Sequence, residues 1–369
     1  RTYYPKIGGV VTRLGSADDE HTQPGQQMLL VGDSATRMQT WDAVRALDVL
    51  ASHPAVDPKR LASTGQSGGG TLTMLLIAAD DRLACAALTC ANSENWACRN
   101  FNPPGSTDDA EQNLVDAAPA GFDRWDLVYP MAPKPMLLAM SARDFFGTYS
   151  VNYLESGREE FAKLERFYAR VGAKADRLRW VESPLPHSLS EPMRMEVYDW
   201  FNRWLKSETK PRLTEPPTAP EPEERLWTGR TGNVVRDFGS LRPLDLVRAR
   251  LAVKPAVKPD WRKLARIPEV KAAPVTRLAQ TRLAGVTVEA IEVASEAGIW
   301  LPAYLYRPLM ANGKLWLMLD GPGRAARWGE GGLYHELALR GFTVCAADLR
   351  GLGDLLPELP RGPARHAAS

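Results

Sequence analysis

The stretch LASTGQSGGGTLTMLLIAA, residues 61–79, holds the clearest structural signal in the chain. A short apolar run, Leu61 to Thr64, is followed by the turn TGQSGGG and then by TLTMLLIAA, a good helix sequence. Strand, tight turn and helix are what a nucleophile elbow requires. Such a turn holds its central residue, here Ser67, in a strained backbone conformation that lifts the hydroxyl above a sheet. Strand and helix then have to pack closely, so the flanking Gly65 and Gly69 are expected to be small for that reason. The helix N-terminus would face a developing negative charge, with the Gly68 N–H as first oxyanion donor. Read blandly, the same glycines make a plain turn or a phosphate cradle.

Working outward from the elbow, residues 1 to about 206 alternate apolar runs with amphipathic segments, the pattern of parallel strands joined by crossover helices. The expected strands are Leu61 to Thr64, Leu83 to Thr89, Met136 to Met140 and Leu178 to Val181. Helices are expected where Trp41, Val44, Leu47 and Leu50, and later Phe161, Leu164, Phe167 and Val171, recur at helical spacing. A third begins near Ser190, a good N-cap, and buries Val197, Trp200, Phe201, Trp204 and Leu205. Residues 207–224, SETKPRLTEPPTAPEPEE, have the Pro- and Glu-rich composition of a linker. Residues 225–369 form a last zone, with alternating runs Val286 to Val293 and Trp300 to Tyr306 bent at Gly298. The run Leu315 to Leu319, the loop DGPGR, a helix around Tyr334 to Leu339, a strand Phe342 to Ala347 and DLRGLGD follow.

Composition bounds the function. The 369 residues have 44% hydrophobic content, enough for a sizeable core, and 46 Lys plus Arg against 44 Asp plus Glu give a net charge of +2. That balance gives no reason to expect nucleic acid or an anionic membrane as partner. No stretch approaches the roughly 18 apolar residues of a membrane-spanning helix. Cys85, Cys90, Cys98 and Cys345 have no CxxC spacing, and Cys85 and Cys90 lie in the apolar run LACAALTC. No metal or cofactor is therefore expected, while one disulfide is compatible with the count.

The partners of a serine nucleophile on such a sheet follow it in the order acid, then histidine, each just after a later strand. After KPMLLAM comes SARDFF, which places Asp144 at a strand end, with Glu182 as the nearest competing acid. After LRWVES comes PLPHSLS, which places His187 in the next such loop. Of the five histidines, His21, His53, His187, His335 and His366, only His187 falls where this topology needs a base. The triad is thus read as Ser67, Asp144 and His187, in an α/β-hydrolase fold with a mostly parallel central sheet. Residues 91–130 make a long excursion carrying Trp96, Phe101 and Trp125, which either line a binding site or pack the loop down.

The segments TWDAVRALDVLASHPAVDPKRLASTGQSGGGTLT, DAEQNL, MLLAMSARDFF and YDWFNRWL resemble bacterial α/β-hydrolases of the acetylxylan esterase-like family. The resemblance covers about residues 25–206. It implies that Ser67, Asp144 and His187 are catalytic, that the substrates are acetyl or other small acyl esters, often on plant polysaccharide, and that the protein is secreted or periplasmic. A hydrolase of this type has a first half before its elbow, and little suitable lies upstream of Trp41. Residues 280–354 look like that missing half, so the last zone is expected to complete the sheet, as in a circular permutant or a domain-swapped homo-oligomer. Gly321 or Gly323 would then offer the second oxyanion donor. Two other readings stay open: a serine peptidase of the prolyl-oligopeptidase type, and a binding module that kept the fold without turnover.

Overall fold

Parallel strands buried on both faces read as continuous apolar runs, and two such runs, Leu83 to Thr89 and Met136 to Met140, become the middle of a sheet. In the computed structural model, which describes residues 17–96, 110–144, 153–211, 214–252, 260–269 and 272–356, the chain divides into two compact units. The first takes in Arg1–Pro255 with Pro360–Ser369, and the second takes in Ala256–Leu359.

The first unit holds strands β1 (Leu61–Gln66), β2 (Leu83–Thr89), β3 (Met136–Arg143) and β4 (Leu178–Pro186), all parallel and in sequential order. Leu88 lies opposite Leu138 and Leu138 opposite Trp180, so one apolar row crosses the sheet. Helices α1 (Ala17–Leu29), α2 (Ala35–Ser52), α3 (Gly68–Ala79), α4 (Tyr153–Arg170) and α5 (Glu191–Lys206) surround it. On one face Met74, Leu76, Leu88, Trp125, Met136, Leu138 and Leu164 share a core; on the other, Val197 and Trp200 of α5 cover Ala87 and Leu137. Each fully buried leucine there contributes about 2 kcal/mol. The Ser34 side chain caps α2 by accepting the Arg37 N–H at 3.0 Å. Of the apolar stripe expected on α2, only Leu47 is buried; Trp41 and Leu50 are 57% and 47% exposed. That helix packs along α3 instead of covering the sheet broadly.

The described residues between Glu208 and Pro222 form neither helix nor strand, and Glu215 ties them back to α5 through Arg194 and the Tyr198 hydroxyl, at 2.6 and 2.8 Å. The first unit does not stop at this linker. Beyond it come α6 (Val234–Phe238) and α7 (Pro243–Ala252). Val247 of α7 is buried with Met28 and Ala35, and Arg250 reaches the buried Asp33 at 2.8 Å. These contacts move the boundary from the expected 225 to about 255.

In the second unit, α8 (Trp261–Leu264) precedes a sheet of β5 (Val275–Leu283), β6 (Val286–Glu296), β7 (Ile299–Pro308), β8 (Leu315–Met318) and β9 (Thr343–Ala347). Its order is β5-β6-β7-β9-β8; β8 runs parallel to β9 and the other pairs are antiparallel. Gly298, with φ of 79°, turns the β6–β7 hairpin as expected. Helix α9 (Leu333–Leu339) puts Tyr334 and Ala338 on a core of Val286, Val288, Tyr306, Val344 and Ala346. Strand β5 had no expectation, because VTRLAQTRL is an almost wholly exposed edge whose polar residues mask its alternation. Among the described residues β8 pairs with β9 alone and β1 with β2 alone, so there the expected single sheet is two sheets. No helix among the described residues is long and apolar enough to cross a membrane.

Candidate active site

Ser67 stands between the last residue of β1 and the first of α3, with φ of 59° and ψ of −122°. A side-chain-bearing residue at positive φ is uncommon and costs on the order of 1–3 kcal/mol, so surrounding contacts hold it there. Two are visible: the Ser67 N–H donates to the Thr89 carbonyl of β2 at 3.0 Å, and its own carbonyl accepts from Thr71 at 3.0 Å. Gly65 is needed because a Cβ there would strike the backbone of Gly69. The expectation for Gly69 itself is corrected, since a Cβ on Gly69 meets nothing. The third glycine, Gly70, is the tighter one, pressed against the Thr89 carbonyl and Ala91. Gly68 opens α3, where helix N–H groups lack intrahelical acceptors, and the Glu111 carboxylate lies beside its α-carbon.

Asp144 follows β3 and is 1% exposed; His187 follows β4. Between them runs a hydrogen bond of 2.7 Å from the His187 Nδ1 side to Asp144 Oδ1. Burial pulls the imidazole pKa down, but the Asp144 hydrogen bond and contact with Cys90 outweigh it and raise it to about 9. Glu182, the competing acid, instead pairs with Arg158 at 2.7 Å and with the Trp180 indole at 2.7 Å. The other described histidines are engaged elsewhere. His335 is buried between the Ala284 carbonyl and the Gly331 N–H, His21 meets Glu111 at 3.2 Å, and His53 Nδ1 accepts from Ala55 N. His366 lies outside the described residues.

Cys90 joins the three places. It is the next residue after Thr89, whose carbonyl holds Ser67 N, and a ligand atom of each of Cys90, Asp144 and His187 lies within 4.8 Å of the others. Ser67, Asp144 and His187 each follow the carboxyl end of a strand of this one parallel sheet. Cys90 is itself at positive φ, 45°, and 2% exposed. Cys85, Cys90 and Cys345 are free thiols, and Cys98 lies outside the described residues.

The aromatics separate. Trp125 is 1% exposed inside the main core, so it packs the excursion down and lines no open site. Trp96 is half-buried, with its ring 5.2 Å from the Arg124 guanidinium and 6.4 Å from Phe122. Phe101 lies outside the described residues. Sequence reasoning missed Glu94, which is fully buried with neither carboxylate oxygen hydrogen-bonded among the described residues. Burial pushes its carboxyl up to about 8, against the opposing pull of Arg124. A lone glutamate in a polar loop gives no sequence signal of this. Gly321 and Gly323 belong to the second unit, after β8. The Gly323 N–H is spent on the Asp320 carbonyl at 2.9 Å, so of the two only Gly321 stays a candidate donor.

Elbow, parallel sheet and buried carboxylate–imidazole pair define an α/β-hydrolase fold, and comparison with known proteins narrows the likeness. Residues 37–91 match the family model of acetyl xylan esterase (AXE1). Over 201 residues the chain is 26% identical to the hydrolase-named protein YtaP of Bacillus subtilis (strain 168), covering 53% of this chain and 62% of that one. Among solved structures, it is similar to the methylesterase BT1017, with a TM-score of 0.44, 24% identity, and coverage of 58% of this chain and 45% of the other. A second is a carbohydrate esterase family 15 glucuronoyl esterase from Caldicellulosiruptor kristjansonii, with a TM-score of 0.37, 18% identity, and coverage of 50% and 55%. The chain therefore spans less than two thirds of the length of these relatives.

Proposed function

We propose that the chain is a serine carboxylesterase that removes acetyl or other short acyl groups, with acetylated plant polysaccharide such as xylan as the substrate class. The observation that carries this reading is the 2.7 Å bond between buried Asp144 and His187 at the strand ends where Ser67 is held strained. In it, Nε2 of His187 takes the Ser67 proton as Oγ attacks the ester carbonyl, and Asp144 keeps Nδ1 protonated and steadies the imidazolium. The tetrahedral intermediate expels the alcohol with that proton. Water, deprotonated by the same ring, then cleaves the acyl-enzyme to free carboxylate and serine. Gly68 N–H supplies one oxyanion donor. The match of residues 37–91 to the acetyl xylan esterase model supports the acyl class.

The same reading extends to the sheet. Among the described residues strands β1 and β8 each have one neighbour, and Leu315 and Leu317 on β8 are 63% and 57% exposed, unusual for a parallel strand. Adding β8 of a second copy to the free edge of β1 would extend the parallel run and bring Gly321 to the elbow as second donor. Light scattering should then show a dimer that Leu317→Lys dissociates; a monomer with full activity would remove this part.

The test is hydrolysis of a p-nitrophenyl ester series beside a dipeptide anilide, for wild type, Ser67→Ala and His187→Ala. Cleavage is expected for acetate first, with loss in both variants and no peptidase activity. A folded protein that neither cleaves esters nor reacts with a fluorophosphonate would overturn the proposal.

A further inference from the structure

We infer that Cys90, Asp144 and His187 form a site for a thiophilic divalent cation such as Zn²⁺, whose binding switches the esterase off. The switching half rests on the function proposed above; the binding half does not. A sulfur, a carboxylate oxygen and an imidazole nitrogen lie within 4.8 Å of one another. A tetrahedral zinc site with bonds of about 2.0–2.3 Å needs donor separations of roughly 3.3–3.6 Å, so closing this set takes side-chain adjustments of the order of an ångström. Thiolate with imidazole is the donor combination that favours zinc over magnesium or calcium.

A second feature points to a ligand independently of the cysteine. Asp144 is 1% exposed and its Oδ2 has no hydrogen-bond partner among the described residues, an arrangement that is costly for a buried carboxylate. The thiol is also held in place. Its Sγ is 3.2 Å from Ser141 Oγ, and Cys90 N donates to the Ala139 carbonyl at 2.8 Å.

The consequence for the reaction follows from proton positions. In the neutral ring of the mechanism proposed above the proton sits on Nδ1, facing Asp144, and Nε2 is the atom that accepts from Ser67. A cation on Nδ1 takes the lone pair there, so a neutral ring carries its single proton on Nε2, where it cannot serve as base. Starting from the thiol and neutral imidazole, one proton leaves to solvent, from Cys90 Sγ, and none is lost from the ring. A chelator reverses the change.

The experiment loads Co²⁺, a spectroscopic stand-in for Zn²⁺, into metal-free Ser67→Ala protein, which needs no activity. A thiolate-to-cobalt charge-transfer absorption is expected, retained in Cys345→Ser and lost in Cys90→Ser. His187→Gln, which leaves the strained Cys90 position untouched, should weaken cobalt binding by about 10–100-fold, so the idea stays testable even where Cys90→Ser fails to fold. In wild type, Zn²⁺ should abolish p-nitrophenyl acetate hydrolysis and a chelator restore it. Absence of the absorption, its persistence in folded Cys90→Ser, or an unchanged cobalt affinity in His187→Gln overturns the site. Cobalt binding in a protein without esterase activity would keep the site and remove the enzyme reading.

Discussion

Replacing Asp144 by asparagine tests the chemistry most directly, because it changes one oxygen of the buried pair and little of the packing. The imidazole of His187 is raised from its ordinary 6.5 to about 9 by contacts of which the Asp144 hydrogen bond is the strongest. At 1.36 kcal/mol per pH unit that rise amounts to about 3 kcal/mol of preference for the charged ring. The substituted amide removes the charge and offers Nδ1 an N–H, which turns the ring to the tautomer protonated on Nε2. With burial left as the main influence, the imidazole should titrate below 6.5. For p-nitrophenyl acetate, kcat/KM of the wild type should climb with pH toward about 9, since the base acts only when neutral. In Asp144→Asn the rate should drop by about 10³–10⁴-fold and the midpoint should move to the acid side. A folded variant within tenfold of wild type, with its midpoint unmoved, would refute the assignment of Asp144 and the coupling between the two residues.

Three further outcomes follow from local geometry. Ser67→Gly should end fluorophosphonate labelling yet raise thermal stability by about 1 kcal/mol, because glycine accepts φ of 59° without strain; a lower melting temperature would contradict the strained elbow. Gly65→Ala should cost about 3 kcal/mol or more by driving β1 off the Gly69 backbone, whereas Gly69→Ala, which meets open space in a helix, should gain up to about 1 kcal/mol; chemical denaturation of both distinguishes them, and equal effects would reject the packing account. Glu94, raised from 4.5 to about 8 in the fold, favours the protonated folded state, so stability should fall as pH climbs from about 4.5 to 8. Glu94→Gln should flatten that fall and melt higher than wild type at a pH above about 8 in a thermal-shift series; an unchanged slope would show that Glu94 does not titrate there.

The chain's local order was legible where one physical signal dominated. Continuous apolar runs marked β2 and β3, 3.6-residue periodicity marked α4 and α5, and the glycines around Ser67 marked the elbow. The same local signals placed Asp144 and His187 after successive strands, and folding joins the two by a 2.7 Å hydrogen bond. Strand β5 was illegible because an exposed edge needs no apolar alternation, and the reach of the first unit to residue 255 depends on Val247 meeting Met28, which no local pattern encodes.

What the amino-acid order determined by itself is therefore the set of elements, their sequence, and the residue types at the strand ends, because periodicity and turn chemistry act over a few neighbours. What tertiary structure alone decided is which of these meet. Cys90 stands beside His187 although the two are far apart along the chain, Glu94 is stripped of water, Trp125 is core and not binding surface, and Gly70 rather than Gly69 is the crowded glycine. Proximity, burial and the pKa of a group are properties of surroundings assembled from distant parts of the chain, and only folding brings those parts together.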